Sequence, residues 1–220
     1  MFLIVILGTV GLSYLVKVWL MRTYKKWGEV PNAVGASGFQ VARHILDTND
    51  LQHVILEVSK GQLSDHYIPS QDRMRLSEDI NNNTSVASIA VAAHECGHAL
   101  QDKENYPMLK AKAVLMPLAA IGNQVGLGLT LGGSFLGSAF VSNIGLLCIG
   151  FGVLMPLLTL PIEFDASKRA LDELQELKLV DEKDFDGAKS MLFAAALTYV
   201  ASAVSSMAMI GIFLLQFMRR

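Results

Sequence analysis

Hydrophobic positions gather into four long runs along the 220-residue chain, separated by polar stretches. The runs cover about 2 to 20, 113 to 133, 139 to 160 and 192 to 217, each near the roughly 20 residues an α-helix needs to cross about 30 Å of hydrocarbon. The first begins at Met1 with no basic residue before its apolar core and no small-residue cleavage site after it, which predicts a retained anchor rather than a cleaved leader. Between the first two runs the pattern changes. "SGFQVARHILDT" (37 to 48) opens on a capping serine, with Val41, Ile45 and Leu46 at helical spacing. "HVILEVS" (53 to 59) and "RMRLS" (73 to 77) read as strands, with Asp65-His66-Tyr67 between or on them. "NNNTS" then caps a helix from about Ser85 to Asp102. The expected fold is a mainly α integral membrane protein of about four transmembrane helices plus a small α+β region. Its expected segments are an anchor (1–21), a polar region with strands and helices (22–112), a transmembrane hairpin (113–160), a helix with a polar segment (161–190) and a last transmembrane helix (191–220).

Composition strengthens the membrane reading: 52% of residues are hydrophobic and the mean hydropathy is +0.40, above what a soluble domain carries. The net charge of −2, with no basic block longer than Lys25-Lys26 or Lys168-Arg169, excludes the electrostatic footprint of a nucleic-acid binder. Arg22, Lys25 and Lys26 after the first run, Lys110 and Lys112 before the second, and Lys168 and Arg169 after the third place 22–112 and 162–190 on the cytoplasmic side. Arg219 and Arg220 argue the other way if the fourth run crosses fully. Gly122 and Gly126, like Gly133 and Gly137, are four apart, a spacing that lets membrane helices approach closely. Packing within the chain's own bundle is the preferred reading, and a homo-oligomer face the alternative. Cys96 and Cys148 suggest no disulfide.

Candidate chemistry sits in "VAAHECGHALQ" (91 to 101). Residues four apart on a helix differ by about 40° of rotation, so His94 and His98 project from one face and can meet at one ion. Zinc takes such nitrogen ligands, and Glu95, beside the first, is then placed to act as general base on the water that zinc activates. Chance alone produces this pattern in about one per cent of chains this long. The small neighbours Ala92, Ala93, Gly97 and Ala99 leave room for a second helix and a metal.

A catalytic zinc site needs a third protein ligand. Glu104 stands at the offset of a third histidine in the extended H-E-x-x-H-x-x-G-x-x-H pattern, but Gln101 replaces the glycine that would reverse the chain. Glu163 is the better candidate. In "LPIEFDASKRALDEL" Pro161 suits a helix start, Glu163 and Ser167 share a face, and two crossings return the chain to the side of His98.

Together, "LSDHYIPS" (63 to 70), "RLSE" (75 to 78), "SVASIAVAAHECGHALQ" (85 to 101), "PIEFDASKRAL" (161 to 171) and "AAALTYVA" (194 to 201) resemble the YugP-type membrane zinc metallopeptidases over nearly the whole chain. The resemblance implies a zincin-like catalytic region of the glutamate-zincin (gluzincin) kind, with His94, His98 and Glu163 as ligands of one zinc ion and Glu95 catalytic. A more distant likeness is to the HtpX/Ste24-type membrane peptidases, whose downstream motif is E-x-x-x-D. Here Ser167 stands where that motif has aspartate, so either Ser167 or Asp165 is expected to support a ligand histidine. His66 or Tyr67 is a candidate for stabilising a developing oxyanion, and the strand carrying them a candidate edge for an extended peptide. The expected function is a metal-dependent endopeptidase acting on unfolded or membrane-proximal polypeptides near the cytoplasmic membrane surface. A non-catalytic metal-binding membrane scaffold is the alternative. A transporter is disfavoured, since neither the second nor the third run holds a charged residue at mid-depth.

Overall fold

The computed structural model describes the backbone of residues 2–218, and their side chains except at 2, 3, 6, 118, 123, 151 and 212–218. In chain order the elements are α1 (Phe2–Gly28), α2 (Gly38–Thr48), β1 (Ile55–Ser59), β2 (His66–Ile68), β3 (Arg73–Ser77), α3 (Glu78–Asn82), α4 (Val86–Lys103), α5 (Pro107–Phe135), α6 (Ala139–Glu176) and α7 (Glu182–Met218). They contribute to two compact units, one within 14–106 and 163–198, the other within 1–13, 107–162 and 199–220.

The helices outrun the apolar segments, which moves the expected boundaries. Pro161 does not start a helix: α6 is continuous through Pro156 and Pro161. Each proline removes one backbone donor, a loss that membrane-type helices tolerate where neighbouring groups re-satisfy the carbonyls. Thr159 Oγ1 donates to the Met155 carbonyl in this stretch. Likewise α5 begins at Pro107 and α7 at Glu182, so 161–190 is mostly the ends of two long helices. Among the described residues three helices are long and apolar enough to cross a membrane: Pro107–Phe135, Ala139–Glu176 and Glu182–Gly211. The first apolar run is helical within α1, although the side chains of Phe2, Leu3 and Ile6 lie outside the described residues, as do Arg219 and Arg220 entirely.

In the first unit, α2 opens with a capping box. Ser37 Oγ accepts from the Gln40 N–H, and Gln40 Oε1 accepts from the Ser37 N–H at 2.8 Å. Its inward face, Val41, Ala42, Ile45 and Leu46, is buried against Ile89, Ala90, Ala93 and Cys96 of α4 and Ala170 and Leu174 of α6. The sheet order is β1-β3-β2, with β1 parallel and β2 antiparallel to β3. Met74 and Leu76 of the central strand are fully buried, while Arg73 and Arg75 pair with Glu57. Ser85 Oγ caps α4 by accepting from the Ser88 N–H at 3.1 Å. Because α4 is built mostly of alanine and other small residues, it is buried over nearly its whole circumference between Val86 and Gln101.

The second unit contains the hairpin of α5 and α6. A Cβ added at Gly126 would lie 2.7 Å from the Gly145 carbonyl oxygen, and one at Gly133 2.5 Å from the Ser142 nitrogen. These glycines are therefore spent on approach within the chain. Gly137 is not the partner of Gly133 in a helix contact: it has open space around it and a φ of +68°, and turns the chain between the helices. Leu127, Leu131, Phe140 and Leu147 point outward. Cys148 and Cys96 are both free thiols.

Candidate metal centre

Gly97 decides how close α4 and α6 come. A Cβ there would fall 2.3 Å from the Ala166 carbonyl oxygen, so only glycine permits this crossing. The approach brings Glu163, one helical turn before Ser167 on α6, against both histidines of α4. Glu163 Oε2 lies 3.3 Å from His94 Nε2 and 3.5 Å from His98 Nε2. The ligand atoms of all three residues fall within 4.8 Å of one another. Two atoms each about 2.0–2.1 Å from a tetrahedral zinc are separated by about 3.3–3.4 Å, and the observed distances fit that spacing. Two imidazole nitrogens and a carboxylate oxygen also form the donor set of catalytic zinc sites, which leave a fourth position open.

Both imidazoles are held from behind. His94 Nδ1 is 3.2 Å from Ser167 Oγ. His98 Nδ1 is 3.0 Å from Gln101 Oε1, and Gln101 Nε2 donates to Asp165 Oδ2 at 2.8 Å. Ser167 thus bonds His94 directly, while Asp165 reaches His98 through Gln101. Arg169 Nε donates to Asp165 Oδ2 at 2.6 Å, and its Nη1 pairs with Glu104 at 2.8 Å. Glu104 is the exposed partner of an arginine at the α4 C-cap, outside the cluster of His94, His98 and Glu163. Gln101 had a signal in sequence that was easily passed over: it lies three residues after His98, hence on the same helical face.

Glu95 is 6% exposed. Burial pushes its carboxyl above the ordinary range; the neighbouring His98 and His94 oppose this, and the charges of Asp65 and Glu163 add to it. Such a carboxyl is a better proton acceptor near neutral pH than a solvated one. Asp65 is itself fixed, accepting from the Ser77 N–H at 2.6 Å and from Ser77 Oγ at 3.1 Å.

His66 and Tyr67 lie on β2, where their partners are a backbone carbonyl and carboxylates. His66 is exposed, with Nδ1 2.7 Å from the Ser64 carbonyl oxygen. Tyr67 Oη donates to Asp102 Oδ2 at 3.1 Å, which ties β2 to the last turn of α4. Burial, with the Asp102 and Asp72 carboxylates adding to it, raises the phenol and keeps it a donor.

A family model described as "Putative neutral zinc metallopeptidase" matches residues 1–218. The chain belongs to this family. It is also 36% identical, over 207 residues covering 94% of this chain and 92% of the other, to the "Putative membrane protease YugP" of Bacillus subtilis (strain 168). No solved structure matches. Membership in a zinc metallopeptidase family agrees with the donor set of His94, His98 and Glu163, and the relative's name agrees with the three membrane-length helices.

Proposed function

We propose that the chain is a multi-pass membrane endopeptidase of the glutamate-zincin kind, with one zinc ion held by His94, His98 and Glu163. The observation that carries the reading is the pair of 3.3 and 3.5 Å separations between Glu163 and the two imidazoles, with Glu95 buried beside them. When bound, zinc supplies a Lewis acid that polarises a carbonyl and makes water nucleophilic at neutral pH. Glu95 accepts the proton of the attacking water and delivers it to the leaving amine. His94 and His98 direct their Nε2 atoms at the ion because Ser167 and Gln101 engage the opposite nitrogens.

The substrates are unfolded or membrane-proximal polypeptides. Glu163 follows the apolar run ending near residue 160 so closely that it remains near lipid. Among the described residues β2 pairs only with β3, which leaves its other edge for an extended peptide and makes selectivity partly backbone-driven. The apolar part of α1 is the fourth span, and the lysine and arginine distribution puts 22–112 and 162–190 in the cytoplasm.

The test is Glu95→Gln in the full chain. It should hold one equivalent of zinc yet lose cleavage of casein or a membrane-protein substrate by about 10²–10⁴-fold, the usual scale for a general base. Retained cleavage would remove Glu95 from the mechanism, and full biological activity without cleavage would favour the scaffold.

A further inference from the structure

We infer that Gln101 is a positioning residue through which Asp165 selects the His98 tautomer able to hold a metal. The inference rests on the zinc reading above. Asp165 Oδ2 receives both the Arg169 Nε–H, at 2.6 Å, and Gln101 at 2.8 Å. An ionised carboxylate only accepts hydrogen bonds, so the Gln101 atom facing it is the amide nitrogen. That orientation turns Gln101 Oε1 toward His98 Nδ1, 3.0 Å away. A carbonyl oxygen also only accepts, so Nδ1 carries a proton, and Nε2, on the side of Glu163, is the nitrogen left to a metal. Gln101 is fully buried, so water does not compete for the amide.

His94 is supported differently. The Ser167 hydroxyl, 3.2 Å from its Nδ1, donates or accepts with equal ease and imposes no tautomer. Control is therefore one-sided, and it extends outward. Arg169 fixes Asp165 and is itself held by Glu104, closing a ring from α4 to α6 and back.

Replacing Asp165 by alanine leaves the Gln101 amide without its acceptor. The glutamine amide can then turn over, present its NH2 to His98 Nδ1, and drive the proton onto Nε2, where it blocks the metal. In a Gln101→Glu background two carboxylates face each other. There Asp165→Ala removes one of the two, and the remaining carboxylate accepts from His98 Nδ1–H.

Zinc affinity of the detergent-solubilised full chain, measured by chelator competition, should fall about tenfold or more for Asp165→Ala in the wild-type background. It should rise when Asp165→Ala is added to Gln101→Glu. Imidazole nitrogen shifts of the zinc-free chain, at a pH where His98 is neutral, should show Nδ1–H at His98 in the wild type and a shift toward Nε2–H in Asp165→Ala. Loss of affinity in both backgrounds, no change in the first, or an unaltered tautomer overturns the relay, because a packing role predicts one sign throughout. A wild-type chain that takes up no zinc overturns the metal reading instead, and the tautomer measurement still decides the relay.

Discussion

The unit that carries the metal centre and the unit that carries the α5–α6 hairpin use the same small residues under opposite conditions. In the first, large aliphatic side chains are withdrawn from solvent: Ile45, Leu46, Met74 and Ile89 are all fully buried. In the second, Leu131 is 62% exposed, Leu147 71% and Phe140 75%. The first is held by exclusion of water, at about 25 cal/mol per Å² of apolar surface. The second leaves its apolar surface outward, as a lipid-facing helix pair does, and closes on itself through backbone approach at Gly126, Gly133 and Gly145. Small residues thus serve hydrocarbon packing in one place and the gathering of three polar ligands in the other.

The comparison breaks most sharply at the glycines. Gly97→Ala sets a methyl against the Ala166 carbonyl, and should cost about 3 kcal/mol or more while parting Glu163 from the histidines. Zinc stoichiometry should drop well below one. Gly145→Ala, whose Cβ would sit 2.4 Å from the Thr130 nitrogen, should loosen the hairpin equally but leave zinc stoichiometry unchanged. Zinc loss in both would mean that the two units do not keep their tasks apart.

A smaller effect comes from trimming apolar side chains. Ile45→Ala should destabilise the detergent-solubilised protein by about 2–4 kcal/mol in a denaturant titration, by removing buried methylenes and leaving a cavity. Smallest of all, Leu147→Ala should shift the same titration by less than about 0.5 kcal/mol, since the side chain is 71% exposed. A cost at Leu147 comparable to that at Ile45 would show that α6 buries this side chain against something other than lipid or detergent.

Much of the polar unit was legible because local chemistry there is strong. Ser37 and Ser85 mark helix starts that the structure places within a residue of expectation, and the period-two alternation of Arg73 to Ser77 gives a strand with Met74 and Leu76 inward. His94 and His98 were legible from helix geometry alone. Glu163 is the better third candidate in sequence because it shares a face with Ser167, beside Ala166, and two apolar runs bring the chain back; the structure sets its carboxylate against both imidazoles. Pro161 misled, since its preference for a first turn competes with the cohesion of a long apolar helix, and in α6 the helix prevails. The choice between Ser167 and Asp165 could not be made from spacing. Both act, on different histidines, and the second acts through a glutamine whose meaning emerges only when α4 and α6 are laid together. His66 and Tyr67 are the sequence's candidates for stabilising a developing oxyanion. Their observed partners are the Ser64 carbonyl and carboxylates that fasten β2.

The contact between Gly97 and Ala166 bears on how H-E-x-x-H should be spelled in this chain. The two unnamed positions are conventionally free, and Cys96 does occupy an ordinary buried slot, its thiol toward the Ala42 carbonyl. Position 97 is not free. A saturation library should tolerate several small residues at 96 and glycine alone at 97. The fourth letter of the signature is written by the neighbouring helix, and a motif defined only by its chemistry leaves that letter blank.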